Sequence, residues 1–282
     1  VLPSPVENLQ ELISLSKIGK PLTMYCNVQA FKEKMDSGQV CLGAGITFTD
    51  ITVTECVAPN MDFLWIDLEH NPITMETMTK HIIAGRATNT MSIVRIPSDE
   101  PAWIKRALDS GAEGIILPQA KSYEEVADYV SLCRYPPVGT RGFGPRRPTD
   151  YGRFRGQEYL DTANEKLFVV AQIESAGAME DLDKIVAIEE LDSLVLGPAD
   201  LSGSLGHMMQ TDHPAVEGAI NEVISKGRAN GKYIGMGLGA DADFAVKWAT
   251  AGVHWLQAGN DFEYMNRFSS NLVSEIHSRL SE

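Results

Sequence analysis

The stretch Phe63-Leu-Trp-Ile-Asp-Leu-Glu-His70 decides how this chain is read. Its first four residues are apolar and uninterrupted, as in a strand covered on both faces. The run stops at Asp67, Glu69 and His70, three titratable groups within four positions. A buried strand ending in acids and a histidine delivers chemistry to its C-terminal tip. The same event recurs down the sequence, and the recurrence fixes what fold to expect.

Short apolar runs at 40–46, 63–66, 91–96, 114–117, 167–173, 193–196, 233–236 and 253–257 make eight strands. Amphipathic helical patterns separate them, at 102–108, 124–132, 178–186, 215–229 and 242–249. Gly111, Gly231 and Gly252 close helices just before the next strand. Uniformly apolar strands alternating with helices imply a parallel sheet under helices, and eight units imply a (β/α)8 TIM barrel. No strand opens onto the GxGxxG of a dinucleotide fold. Residues 1–38 read as an N-terminal extension with helical patterns at 8–18 and 28–35, broken at Gly19-Lys-Pro21. Residues 39–282 read as the catalytic barrel, including C-terminal interface helices. The long irregular stretch 135–164 is expected to serve function or an interface.

The formal charge of −14 and pI near 4.9 disfavour nucleic acid and anionic membranes as partners. No apolar run approaches the ~20 residues of a membrane span. The first residues lack signal-peptide character, and Cys26, Cys41, Cys56 and Cys133 show no paired or zinc-like spacing. A cytoplasmic protein acting on small molecules is expected.

A barrel carries its active site at the C-terminal strand ends. Those ends supply Asp67, Glu69, His70, Arg95, Gln119, Gln172, Glu174, Asp200, Gln257, Asn260 and Asp261. Glu174 and Asp200 are one βα unit apart, so they top neighbouring strands ~5 Å from each other. Each alone reads as a helix cap; together, as oxygen donors without Cys or His, they favour a hard divalent ion. Arg95, inside an apolar strand, needs an anion: Asp67 or Glu69 as a structural partner, or a substrate carboxylate. His70 reads as a general base, and His207 as a residue of the pocket rim. Arg141, Arg146, Arg147, Arg153 and Arg155 form a basic island that could hold a second anion or, preferably, pair with a neighbouring subunit.

The segments IDLEH (66–70), VRIP (94–97), IKRALDSG (104–111), RYPPVGTRGFG (134–144), QIES (172–175) and GPADLSGSLG (197–206) occur in that order. Together they resemble the HpcH/HpaI aldolase family, over about residues 28–264. The resemblance implies a metal-dependent class II pyruvate aldolase on a (β/α)8 barrel, a trimer or hexamer whose dimers exchange the last helix. It implies Glu174 and Asp200 as ligands for Mg²⁺, Mn²⁺ or Co²⁺, and Arg95 and Gln172 as binders of the 2-oxo acid. The backbone around Ala199 and Asp200 would hold its carboxylate. His70 would be the acid/base residue, Asp109 would reach it from an adjacent subunit, and Asp67 would support the metal–water network. The expected reaction is reversible cleavage of a 4-hydroxy-2-oxo acid to pyruvate and an aldehyde through an enolate. The absence of a strand-tip lysine argues separately against a Schiff base. The segment RYPPVGTRGFGP is similar to macrophomate synthase, which keeps open an oxaloacetate decarboxylase/carboligase. A non-catalytic oxo-acid-binding protein is the third reading.

Overall fold

A computed structural model describes residues 26–154 and 156–281. The helical pattern at 8–18 lies outside the described residues, as do Cys26's side chain and Arg155. Eight parallel strands close into a barrel in chain order, as the repeat predicts. They are β1 (Cys41–Ile46), β2 (Phe63–Asp67), β3 (Met91–Arg95), β4 (Gly114–Leu117), β5 (Phe168–Ile173), β6 (Ser193–Leu196), β7 (Tyr233–Leu238) and β8 (Trp255–Asn260). Each pairs with its sequence neighbours, and β8 returns to β1 with a register shift between Gly43 and Gly45.

The helices are α1 (Cys26–Asp36), α2 (Ile51–Val57), α3 (Met75–Ala87), α4 (Pro101–Asp109), α5 (Tyr123–Cys133) and α6 (Gln157–Ala163). They continue as α7 (Ala176–Glu180), α8 (Leu182–Val186), α9 (Pro198–Ser204), α10 (Pro214–Ala229), α11 (Ala242–Ala251) and α12 (Asp261–Leu280). Local chemistry explains the boundaries. Thr74, Ser122, Ser175 and Asp241 cap α3, α5, α7 and α11 by accepting backbone N–H bonds. Gly111, Gly231 and Gly252 take positive φ where helices turn into strands.

Three differences from the sequence reading have physical causes. The pattern at 178–186 splits into α7 and α8, with Asp181 ending one and opening the other. Strand β7 runs on past Met236, through Gly237, to Leu238. Within it, Gly235 is required by close approach, since a Cβ there would lie 2.1 Å from the Trp255 indole. The stretch 135–164 contains α6 and a satellite core of Tyr135, Tyr159 and Ala163. Buried Arg134 anchors its start, donating to the Leu167 carbonyl (3.1 Å) and to Asp192 (2.6 Å).

The core has two layers. One fills the space between sheet and helices. The other fills the barrel interior, where Phe63, Phe168 and Trp255 meet edge to face. Val28, Phe31 and Met35 of α1 join that inner layer. Phe31 packs on Phe63, Phe168 and Trp255 with centroids 5.5–6.4 Å apart, so α1 closes the floor of the barrel. Among the described residues, no helix is long and apolar enough to cross a membrane.

Candidate active site

Polar groups gather at the open end, above this sealed floor. Pairing of β2 with β3 sets Asp67 opposite Arg95. Arg95 Nε and Nη2 donate to the two oxygens of Asp67 at 2.8 Å each, and Nη1 lies 3.0 Å from Glu69 Oε2. Burial opposes the guanidinium charge, but Asp67, Glu69 and Glu174 outweigh it and raise its pKa. Both candidate structural partners of Arg95 are therefore engaged, and it still faces the pocket. Trp65 lies beneath it, with the guanidinium carbon 5.2 Å from the ring centroid.

Glu174 stands one residue beyond β5, beside Gly197 at the end of β6. A Cβ on Gly197 would come within 2.2 Å of Glu174 Oε2, so only glycine leaves room for the carboxylate. Glu174 accepts from the Gln119 N–H (2.8 Å) and from Gln172 Nε2 (2.6 Å). Gln119 adopts positive φ, and with its N–H on Glu174 its side chain donates to Glu69. Burial, then repulsion from Asp200 and Glu69, pushes the Glu174 carboxyl up to about 7 despite those bonds. Burial likewise raises Glu69, against Arg95 and His70.

Neither acid is a helix cap. Ser175 caps α7, and Asp200 lies in the first turn of α9, whose start has no side-chain cap. Asp67, His70, Arg95, Gln172, Ala199 and Asp200 share one cleft of about 270 Å³. Glu174 is buried against its wall. His70 is exposed at the rim, its Nε2 3.4 Å from Glu69 Oε2.

Among the described residues, no three His, Cys, Asp or Glu side chains converge as a complete ligand set. The donors present still suit a hard divalent cation. Two carboxylates crowd each other, and Gln172 Oε1 beside them is buried with no hydrogen-bond partner. A small oxygen-seeking ion that retains water needs no more than one or two carboxylates.

Two other candidates lie elsewhere. Asp109 ends α4 and pairs with Arg141 at 2.9 Å, outside this cleft. His207 stacks on His213 at 3.5 Å and does not line it. His81 is a core histidine bonded to Thr54, with its pKa lowered by burial. The sequence reading gave no role to Trp65, to Glu69 beyond pairing with Arg95, or to Gln119. Gln119 appeared in the sequence only as a polar group at the end of β4.

The chain is 32% identical to a 4-hydroxy-2-oxovalerate aldolase of Rhodococcus jostii, covering 89% of this chain and 97% of that protein. It is 35% identical to a 2-keto-3-deoxy-L-rhamnonate aldolase of Salmonella gallinarum, covering 82% and 86%. An HpcH/HpaI aldolase/citrate lyase family structure from Burkholderia cenocepacia superposes with a TM-score of 0.82 at 30% identity, over 88% of this chain and 99% of that one. Macrophomate synthase, at 24% identity, TM-score 0.81 and 99% of both chains, shares the fold. The relatives support an enzyme with aldolase activity. With residues 47–266 matching the family itself, the chain belongs to the HpcH/HpaI aldolase/citrate lyase family.

Proposed function

We propose that this chain is a divalent-metal-dependent aldolase that reversibly cleaves a 4-hydroxy-2-oxo acid to pyruvate and an aldehyde. One observation carries the reading. Glu174, pushed up to about 7 first by its burial and then by the acids Asp200 and Glu69, shares the strand tips with Asp200 and a charged Arg95. A cation such as Mg²⁺, Mn²⁺ or Co²⁺ held by Glu174 and Asp200 would supply Lewis acidity toward the 2-oxo acid.

The chain's own groups account for the rest. Arg95 stabilises negative charge as it grows on the keto oxygen, and its two acid partners hold the fork in place. Gln172 fixes the oxo acid. The amides of Ala199 and Asp200, in the first turn of α9, have no carbonyl four residues back in the helix and are free for its carboxylate. His70 removes the C4 hydroxyl proton as the C3–C4 bond breaks, and a proton then returns to C3. Asp67 orients Arg95 and also accepts from Asn71 at 2.7 Å.

Asp109 lies outside its own barrel's cleft; in this reading it completes the cleft of a neighbouring copy. A homo-oligomer, trimer or hexamer, agrees with α12. That helix exposes Phe262, Met265, Phe268, Leu272 and Ile276 along one side. An apolar groove lined by Leu42, Val246 and Leu256 is open beside it.

The test is retro-aldol turnover of 4-hydroxy-2-oxo acids after chelation. Activity should vanish and return with Mg²⁺ or Mn²⁺, and Glu174→Gln should lower kcat/KM by roughly 10²-fold or more. Undiminished turnover by the chelated enzyme, or by Glu174→Gln, overturns the reading. Carbon dioxide release from oxaloacetate without aldehyde condensation would select the decarboxylase/carboligase instead.

A further inference from the structure

The arginine-rich loop plays no part in the chemistry above. Its first half folds against α4 and the start of α3, leaving a second cleft of about 460 Å³. Lys105 and Arg106 of α4 and Arg146 of the loop line it, and all three side chains are exposed. Among the described residues, none of the three has a carboxylate within ion-pair distance. The two acids in the cleft are already matched, Glu76 by Lys80 (2.7 Å) and Asp109 by Arg141 (2.9 Å). The cleft thus concentrates unmatched positive charge on a chain of net charge −14.

These cations are gathered and supported. Arg141 is buried, stacked over Tyr135 at 4.5 Å and bonded to Asp109. Thr149 Oγ1 donates to the carbonyls of Pro145 (3.0 Å) and Arg146 (2.9 Å), which fixes the backbone that presents Arg146. Lys105 crosses to the loop, its Nζ 3.2 Å from where a Gly142 Cβ would stand. Lys105 and Arg106 are four and three residues before Asp109, so the Cβ of each lies about 5–6 Å from that of Asp109 on α4.

We propose that Lys105, Arg106 and Arg146 form an anion subsite for the acceptor aldehyde, binding a carboxylate or phosphate ester carried beyond its carbonyl. The inference rests on the reading in which Asp109 completes a neighbouring copy's cleft. Asp109 lines the same cleft as the three cations, so whatever brings it to a neighbour's reacting carbonyl brings them near the acceptor as well. Exposed cations select by charge rather than shape, so the preference weakens with ionic strength.

The experiment condenses pyruvate with succinic semialdehyde, glyceraldehyde 3-phosphate and uncharged butyraldehyde. The enzyme should favour at least one anionic aldehyde over butyraldehyde by tenfold or more in kcat/KM. The doubly substituted Lys105→Gln, Arg146→Gln enzyme should lose that preference through KM. Lys184→Gln, the same kind of charge change on an exposed residue elsewhere, should retain it. Inorganic phosphate should compete with the favoured anionic aldehyde and not with butyraldehyde. A carboxylate or a phosphate preference identifies the tail; no preference, or one that survives the double substitution, overturns the proposal. Deuterium exchange at the pyruvate methyl separates the two failures. Exchange without anion preference defeats this inference alone, and no exchange defeats the aldolase reading beneath it.

Discussion

Arg95 shows how a single side chain is specified by its surroundings. Its planar fork meets Asp67 through two hydrogen bonds and forms an ion pair with Glu69 at 3.0 Å, over the face of Trp65. A lysine keeps the charge but offers one compact donor head, so it cannot hold both acids and stack at once. Arg95→Lys should therefore lower kcat by roughly 10²-fold with a smaller change in KM, read in steady-state cleavage kinetics. A raised KM with kcat unchanged would instead indicate uniform loss of binding. At this scale the sequence was informative where charge interrupts an apolar strand, as at Asp67, Arg95 and Glu174. It was silent where a side chain acts through backbone geometry. Gln119 was named among the strand-end groups, but that its main-chain N–H would serve Glu174 is backbone geometry that no residue type announces.

At the scale of elements, the strands and their helices were legible because apolar runs and glycine stops report burial directly. The floor helix α1 was visible as a helix at 28–35, but its place was not, because Val28, Phe31 and Met35 form an ordinary amphipathic stripe. Its junction with the barrel holds a buried acid. Glu113, just before β4, accepts from the Ser92 N–H at 2.9 Å and lies 3.5 Å from Asn27 of α1. Burial pushes its carboxyl up to about 8. In the unfolded chain the group titrates near the ordinary glutamate value, so the fold binds the extra proton between the two. Its contribution is complete below the unfolded pKa and is lost as pH rises through about 8. Between pH 6 and 9 the loss should be on the order of 2 kcal/mol. Glu113→Gln should flatten that slope in urea titrations and make the protein more stable than wild type at pH 9. An unchanged slope would mean that Glu113 stays ionised in the fold.

At the scale of the whole molecule, the largest unsatisfied feature is α12. Residues 262, 265, 268, 272 and 276 recur at helical spacing yet remain exposed, whereas a helix packed on its own barrel would bury them. Phe268→Glu together with Leu272→Glu should break the assembly into smaller species in light scattering, while the barrel's circular dichroism is retained. An unchanged mass would show that α12 is not an interface. The half of the site proposed to come from a neighbour was open to the sequence only through resemblance. Asp109 and the cations beside it look like ordinary helix-surface residues when one chain is read alone. The interior carries a further consequence. Trp65 reaches across from β2 to within 3.8 Å of where a Gly237 Cβ would stand on β7, and below it the aromatic layer and Phe31 leave no passage. The cleft is a blind alley with one entrance. Of two reactants meeting there, the one seated deepest must enter first and depart last, so binding order is written into the architecture rather than into any affinity.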